Sequence, residues 1–325
     1  MVERWDLRMW KGAGLIGESG FVGGALARQI VFTRAYNSRT INCIQGERFD
    51  TLVCAGAPSV MWVADANPEV DRANLQRLAF HIESASVDRL ILISTIAVLD
   101  DVSAGHTESG ACYETVKAYG RNRRELELRL MEHPGAIIIR LPALFGPGLK
   151  KNFIFDLMNP IPSFIRADKF KQIYAGLSIG EQESMDRFFH FDADLKMYKL
   201  DRPGLEGSGS RSELEVAFER AGFLAAGFTN SDSEYQYYNL ERLRSDIEIC
   251  MAKEIKVLHI CSEPLRACDV HEALTGKTFK NARPPIWKEN VRTIHAKAFA
   301  KSGPYLYNRD EVIEELGTFV TGGQR

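Results

Sequence analysis

Three clusters in this chain combine residue type and spacing in a way that suits chemistry. The first is Gly17-Glu18-Ser19-Gly20-Phe21-Val22-Gly23, directly after the apolar pair Leu15-Ile16. Glycines spaced by three let a strand turn sharply into a helix whose first amide N–H groups face an anion. Gly17 then supplies the tight turn, Gly20 the place where backbone approaches a pyrophosphate, and Gly23 a flat face against a sheet. Ser19, Phe21 and Val22 lie on the same lip. A glycine-rich turn that binds nothing fits the same residues. The second cluster is Ser94-Thr95, at the end of an apolar run, and the third is Tyr119-Gly120-Arg121-Asn122-Arg123. A hydroxyl ending a strand and a tyrosine opening a helix both fall at the carboxyl edge of a parallel sheet, where such sheets bind ligands. Tyrosine beside a cation can act as general acid or base, because positive charge lowers the phenol pKa. Arg123, one helical turn on, lies on the same face as Tyr119.

The elements that must line these residues up are legible as alternating patterns. Strands are expected over 9–16, 30–33, 51–54, 89–94 and 136–140, with 256–260 rejoining them. Helices are expected over 71–84, 119–132, 241–252 and 310–318. This alternation predicts an α/β fold: a Rossmann-type doubly wound parallel sheet with a smaller C-terminal substrate lobe. Residues 9–150 form the dinucleotide-binding domain in this reading, and 151–325 mainly the lobe, with about 235–265 returning to the core. Pro160, Pro162, Pro203 and the Gly/Ser cluster at 204–210 read as loops on that lobe.

Bulk properties narrow the function. The chain has 325 residues, 45% of them hydrophobic, and a net charge of -2, so it has no cationic excess for a nucleic-acid backbone. The apolar run 90–99 is broken by Ser94 and Thr95 and is too short to span a bilayer, and no secretory leader is apparent. The six cysteines show no metal spacing and read as reduced, buried thiols, which suits the cytoplasm. The seven histidines form no ligand pair, so no metal is expected. His190, among Phe188, Phe189 and Phe191, reads as a packed core histidine.

Taken in order, the segments resemble the extended short-chain dehydrogenase/reductase family, which includes nucleotide-sugar epimerases, dehydratases and reductases. The resemblance covers most of residues 10–150. It runs through Gly17, Gly20 and Gly23, then Cys54-Ala55-Gly56-Ala57, then Ser94-Thr95. Tyr119 opens the family's Tyr-x-x-x-Lys helix, and Arg140-Leu141-Pro142 and Phe145-Gly146-Pro147 follow. Arg123 stands where the family has its lysine, keeping the charge in a bulkier form that cannot lose its proton. The literal Tyr113…Lys117 pair lacks the helical pattern after it and is set aside as a decoy.

This resemblance implies an NAD(P)-dependent reductase or epimerase of a nucleotide-activated sugar, working as an oxidoreductase with Thr95, Tyr119 and Arg123 as catalytic residues. Arg123 is expected to anchor the ribose and to bias Tyr119 toward phenolate. The cofactor would lie on Gly17, Ser19, Gly20, Phe21, Val22, Gly23, Ala55, Gly56, Ala57, Ser94, Tyr119, Arg123, Leu141 and Pro142. Arg34, read as following the second strand, would meet a 2′-phosphate and tilt the choice from NAD to NADP; a solvated surface arginine is the other reading. Lys150, Lys151 and Asn152 are assigned to the substrate, or else to a solvated loop. A homodimer is compatible with this class. Two other functions stay open: a non-catalytic dinucleotide-binding sensor or scaffold, which Arg123 makes credible, and an oxidoreductase of a small carbonyl compound.

Overall fold

Every residue of Ala13–Ile16 is buried, as a strand covered on both faces must be. In the computed structural model, which describes residues 7–322, this run is β1, and it is followed by β2 (Arg34–Tyr36), β3 (Arg48–Cys54), β4 (Ser86–Thr95), β5 (Ala136–Leu141) and β6 (Val257–His259). All six are parallel, in the order β2-β1-β3-β4-β5-β6. The order reverses between β1 and β3, which makes the crevice above their carboxyl ends the topological switch point. Helices α1 (Phe21–Gln29), α2 (Met61–Ala66), α3 (Pro68–Glu83), α4 (Ala118–Leu130) and α5 (Leu243–Ala252) accompany the sheet. The doubly wound α/β reading therefore holds.

Two strands depart from their expected places: β1 starts only at Ala13, because Leu7–Trp10 forms a 3-10 turn, and the second strand is shifted along the chain. Residues 30–33 are apolar, yet β2 is Arg34–Tyr36, with Gly14 opposite Arg34 and Ile16 opposite Tyr36. Ile30 instead closes α1 by donating to Leu26, so its burial serves the helix end. Arg34 therefore begins the strand rather than following it.

The described chain divides into two compact units. The first holds the residues up to Leu149, Glu234–Arg266 and those from Lys288 onward; the second holds Lys150–Ser233 and Ala267–Trp287. The returning portion is thus wider than 235–265. In the second unit, the stretch read as loops carries a three-stranded antiparallel sheet and the helices Ala167–Tyr174, Ile179–Phe188 and Arg211–Arg220. Its prolines punctuate elements instead of abolishing them: Pro203 opens a short helix, where its missing N–H costs nothing. Phe170, Met185, Phe189 and Phe218 form this unit's core. His190 is exposed, not packed, because strand alternation turns Phe189 inward and His190 out. All six cysteines are free; Cys43 and Cys112 are exposed, contrary to expectation, while burial pushes the Cys54 thiol up to about 11. No helix among the described residues is long and apolar enough to cross a membrane.

The junction of β1 and α1 dictates its own glycines. A Cβ on Gly23 would lie 2.0 Å from the Gly17 carbonyl oxygen, whereas one on Gly24 would meet nothing nearer than 3.4 Å. Gly23→Ala is therefore expected to cost about 3 kcal/mol or more of stability. Gly24→Ala should stabilise by about 0.5–1 kcal/mol through helix propensity. Denaturant unfolding of the two variants checks the contrast.

Candidate active site at the carboxyl edge of the sheet

The glycine turn sits at the switch point. Gly17 has φ of 95°, its N–H donates to the Tyr36 carbonyl at 2.7 Å, and any Cβ there would strike the Ala55 carbonyl at 2.4 Å. Ala55-Gly56-Ala57 thus lies directly beside the turn. Gly20 is different. It is exposed, and a Cβ on it would have only the Gly17 oxygen nearby, at 3.2 Å. Protein packing explains Gly17 and Gly23 but makes little demand on Gly20, which suits close approach by a ligand. Gly20 caps α1 without a side-chain hydrogen bond, and no acidic residue lies in the first turn. The first amides of α1, at Phe21, Val22 and Gly23, therefore point outward with the positive end of the helix dipole. These features fit a dinucleotide pyrophosphate.

Thr95 ends β4, and its Oγ1 accepts from the Ala97 N–H at 3.1 Å, leaving its own O–H to donate. Ser94 is committed elsewhere, donating to Glu127 at 2.6 Å. This takes its hydroxyl proton away from a cofactor. Leu141 and Pro142 close β5 at the same edge.

Tyr119 and Arg123 sit on the first turns of α4, both buried. Gly120 lets that helix close onto the strand end, for a Cβ there would meet the Ala97 carbonyl at 2.0 Å. The Arg123 guanidinium carbon lies 3.6 Å from the centre of the Tyr119 ring. Its N–H groups go to protein atoms: Asp71 of α3 at 3.0 and 3.2 Å, the Tyr119 carbonyl at 2.9 Å, and the Pro58 carbonyl. The expected ribose anchor is thus engaged in the fold. Burial pushes the Tyr119 phenol above the usual tyrosine range; Arg123 pulls it down, and Asp71 and Asp65 push it up. The net direction is opposite to the phenolate bias expected from sequence.

Arg34 stands at the amino edge of the sheet, ion-paired with Glu47 at 3.1 Å. The carboxyl end of β2 instead leads into Asn37-Ser38-Arg39. Asn37 donates to Glu18 at 3.0 Å and accepts from the Arg39 backbone, while the Arg39 side chain is exposed. Tyr113 pairs its backbone with Leu99 and stacks under Arg124, outside any helix, and Lys117 merely precedes α4. They share no helical face. In the second unit, Asn152 caps Phe153–Met158 through its side-chain oxygen at 3.1 Å, and desolvation holds Lys151 below the usual lysine range. No group of metal-ligating side chains occurs among the described residues.

One feature that sequence reasoning missed fixes α4 in place. Arg140, fully buried in β5, donates to Glu127 of α4 at 2.9 and 2.7 Å and to His259 Nε2 of β6 at 2.9 Å. Because His259 Nε2 accepts, its Nδ1–H donates to the Arg292 carbonyl at 3.0 Å. The signal was an arginine inside an otherwise aliphatic buried strand, which requires a buried carboxylate.

No protein-family model matches this chain, and no curated protein matches its sequence. Solved structures do match. A UDP-N-acetylglucosamine 4-epimerase from Methanobrevibacter ruminantium aligns over 97% of this chain and 99% of its own, with a TM-score of 0.61 at 10% identity. For a dTDP-4-dehydrorhamnose reductase from Clostridium acetobutylicum the figures are 96%, 99%, 0.58 and 13%. RMD from Pseudomonas aeruginosa, solved with NADPH, gives 96%, 100%, 0.59 and 12%.

Desolvation holds His259 below the usual histidine range, with Arg140 adding to the effect. The unfolded chain then binds this proton at a higher pH than the folded one does. The stability it contributes is complete above the ordinary value near 6.5 and is lost as pH falls below it. Urea unfolding between pH 7 and 5 should show native stability declining more steeply than that of His259→Gln, by up to about 1.4 kcal/mol per pH unit. Across almost the whole of its length, the chain has the α/β fold of these nucleotide-sugar epimerases and reductases.

Proposed function

We propose that this protein is a nicotinamide-dinucleotide-dependent oxidoreductase or epimerase acting on a nucleotide-activated sugar. The observation that carries the reading is the open glycine turn at the switch point, sharing one sheet edge with Thr95 and Tyr119. Its backbone amides at Phe21, Val22 and Gly23, with Ser19 and Gly20, hold the pyrophosphate, and Ala55, Gly56, Ala57, Leu141 and Pro142 border the rest of the dinucleotide. When bound, the nicotinamide supplies or accepts a hydride. Tyr119 passes a proton to or from the sugar oxygen at the reacting carbon, and burial suits it to donating. Thr95 donates a hydrogen bond to that oxygen and steadies the charge that develops there. Lys150, Lys151 and Asn152 are the residues proposed to meet the substrate's phosphates. The similar structures include an epimerase solved with UDP-N-acetylmuramic acid, which supports a nucleotide-sugar substrate. A homodimer is also proposed, with exposed Val70, Phe80 and Leu128 on α3 and α4 as candidate contacts.

A second reading, a dinucleotide-binding protein without turnover, draws on Arg123, whose guanidinium is held by Asp71 and Pro58. A screen of keto and hydroxy nucleotide sugars, followed by cofactor absorbance, separates the two. Tyr119→Phe should lower turnover by about 10²–10⁴-fold while still binding dinucleotide. Gly20→Val should lose binding yet remain folded. Unchanged turnover in Tyr119→Phe would refute the mechanism, and binding without turnover across the screen would favour the second reading.

For the cofactor, Asn37 lies twenty positions after Gly17, where NAD-binding chains carry an acid for the ribose hydroxyl. With Arg34 on the opposite edge, a preference for NADP rests on Ser38 and Arg39. Arg39→Ala should then weaken NADP binding by about tenfold and leave NAD binding unchanged in a fluorescence titration. Equal weakening of both would return Arg39 to the solvated surface.

A further inference from the structure

An arginine has five N–H donors. Four of those on Arg123 are used within the protein, two on Asp71 and one each on the Tyr119 and Pro58 carbonyls. The Asp71 and Arg123 side chains are only 5% and 4% exposed, so this pair is not a loose surface contact. Asp71 is held in turn by Asn122, whose amide donates to it at 3.0 Å. Pro58 belongs to the segment just after Ala55-Gly56-Ala57, so the guanidinium ties that segment to α3 and α4. We infer that Asp71 is a positioning residue: it pins the Arg123 guanidinium against the Tyr119 ring and the Pro58 carbonyl, keeps it off the dinucleotide ribose, and thereby sets the charge that the phenol meets.

This inference rests on the reading of Tyr119 as the proton-handling residue. The charged groups facing Tyr119 come from each neighbouring element: Asp65 from α2, which accepts its backbone N–H at 2.9 Å, Asp71 from α3, and Arg123 from its own helix. Glu114 lies beside Gly120, with its carboxylate taken up by the Val116 and Lys117 amides. Two carboxylates therefore oppose one guanidinium at the phenol. Asp71 alone of these touches Arg123, so Asp71→Asn removes a negative charge from beside the phenol while its amide oxygen still holds the positive one in place.

The test is the ultraviolet titration of Tyr119 in the full-length protein, read as the difference between each form and its Tyr119→Phe counterpart. Asp71→Asn, which keeps an oxygen toward Arg123, should titrate lower than native by about one pH unit or more. Arg123→Gln should titrate higher. A folded Asp71→Asn, or a folded Arg123→Gln, that titrates like the native protein would overturn the inference. A role confined to stability would move melting and not this titration. If neither variant folds, a crystal structure of the native protein with NADP decides. A guanidinium still on Asp71 and Pro58 supports the inference, and one turned onto the ribose hydroxyls refutes it. The titration uses no cofactor, so failure to bind any dinucleotide would count against the proposed function and leave this result standing.

Discussion

The arrangement of the site depends on a buried ion pair between Glu127 and Arg140. Both side chains are almost completely excluded from solvent, and removing two such ions from water costs several kcal/mol each. Good geometry offsets that cost here: two parallel N–H···O bonds, a third bond from Arg140 to His259, and further bonds to Glu127 from Ser94 and Arg124. Ser94, Arg140 and His259 stand opposite one another on β4, β5 and β6 in the ladder. Glu127 reaches down from α4 onto Ser94 of β4 and Arg140 of β5, and Arg140 carries the link on to His259 of β6. Tyr119 and Arg123 lie one to two turns earlier on that same helix. Their place at the carboxyl edge is therefore inherited from a contact in the core.

The other end of the crevice is set by backbone rather than charge. Gly17, Gly23 and Gly56 each stand where a Cβ would overlap neighbouring atoms at 2.8 Å or less. Close approach of β1, α1 and the end of β3 is possible only without side chains at those points. Such requirements act on a few positions and leave the rest of the surface free to vary. The fold is shared over nearly the full length with structures that are only 10–13% identical.

Between these two anchors, the Asp71–Arg123 pair shows what a buried guanidinium demands of its neighbours. A guanidinium has more donors than an ammonium group and a fixed fork geometry. Once buried, those donors seek acceptors, and the nearest are the Asp71 carboxylate on α3, the Tyr119 carbonyl one turn earlier on α4, and the Pro58 carbonyl on a loop. The charge that sequence assigns to a ligand is thereby drawn into the protein.

Local pattern was enough to show the class of fold and to place the glycine turn, Thr95 and Tyr119 at the ends of the elements that carry them. Burial on both faces leaves apolar runs such as Ala13–Ile16 and Ile137–Ile139, and the glycine spacing marks the strand-to-helix turn. Both are properties of contiguous residues. Tertiary structure alone decided the rest, because it turned on partners distant in sequence. Residues 30–33 look like a strand, but Ile30 is buried at the end of α1, and the ladder with β1 starts only at Arg34. That shift moved Arg34 to the wrong edge and brought Asn37-Ser38-Arg39 to the right one. Arg123 lies one helical turn from Tyr119, yet its direction is set by Asp71, fifty-two positions earlier. Arg140 and His259, 119 positions apart, meet only because β5 and β6 are adjacent. Periodicity reports which face of an element is buried; the identity of the charge waiting on that face comes from another part of the chain.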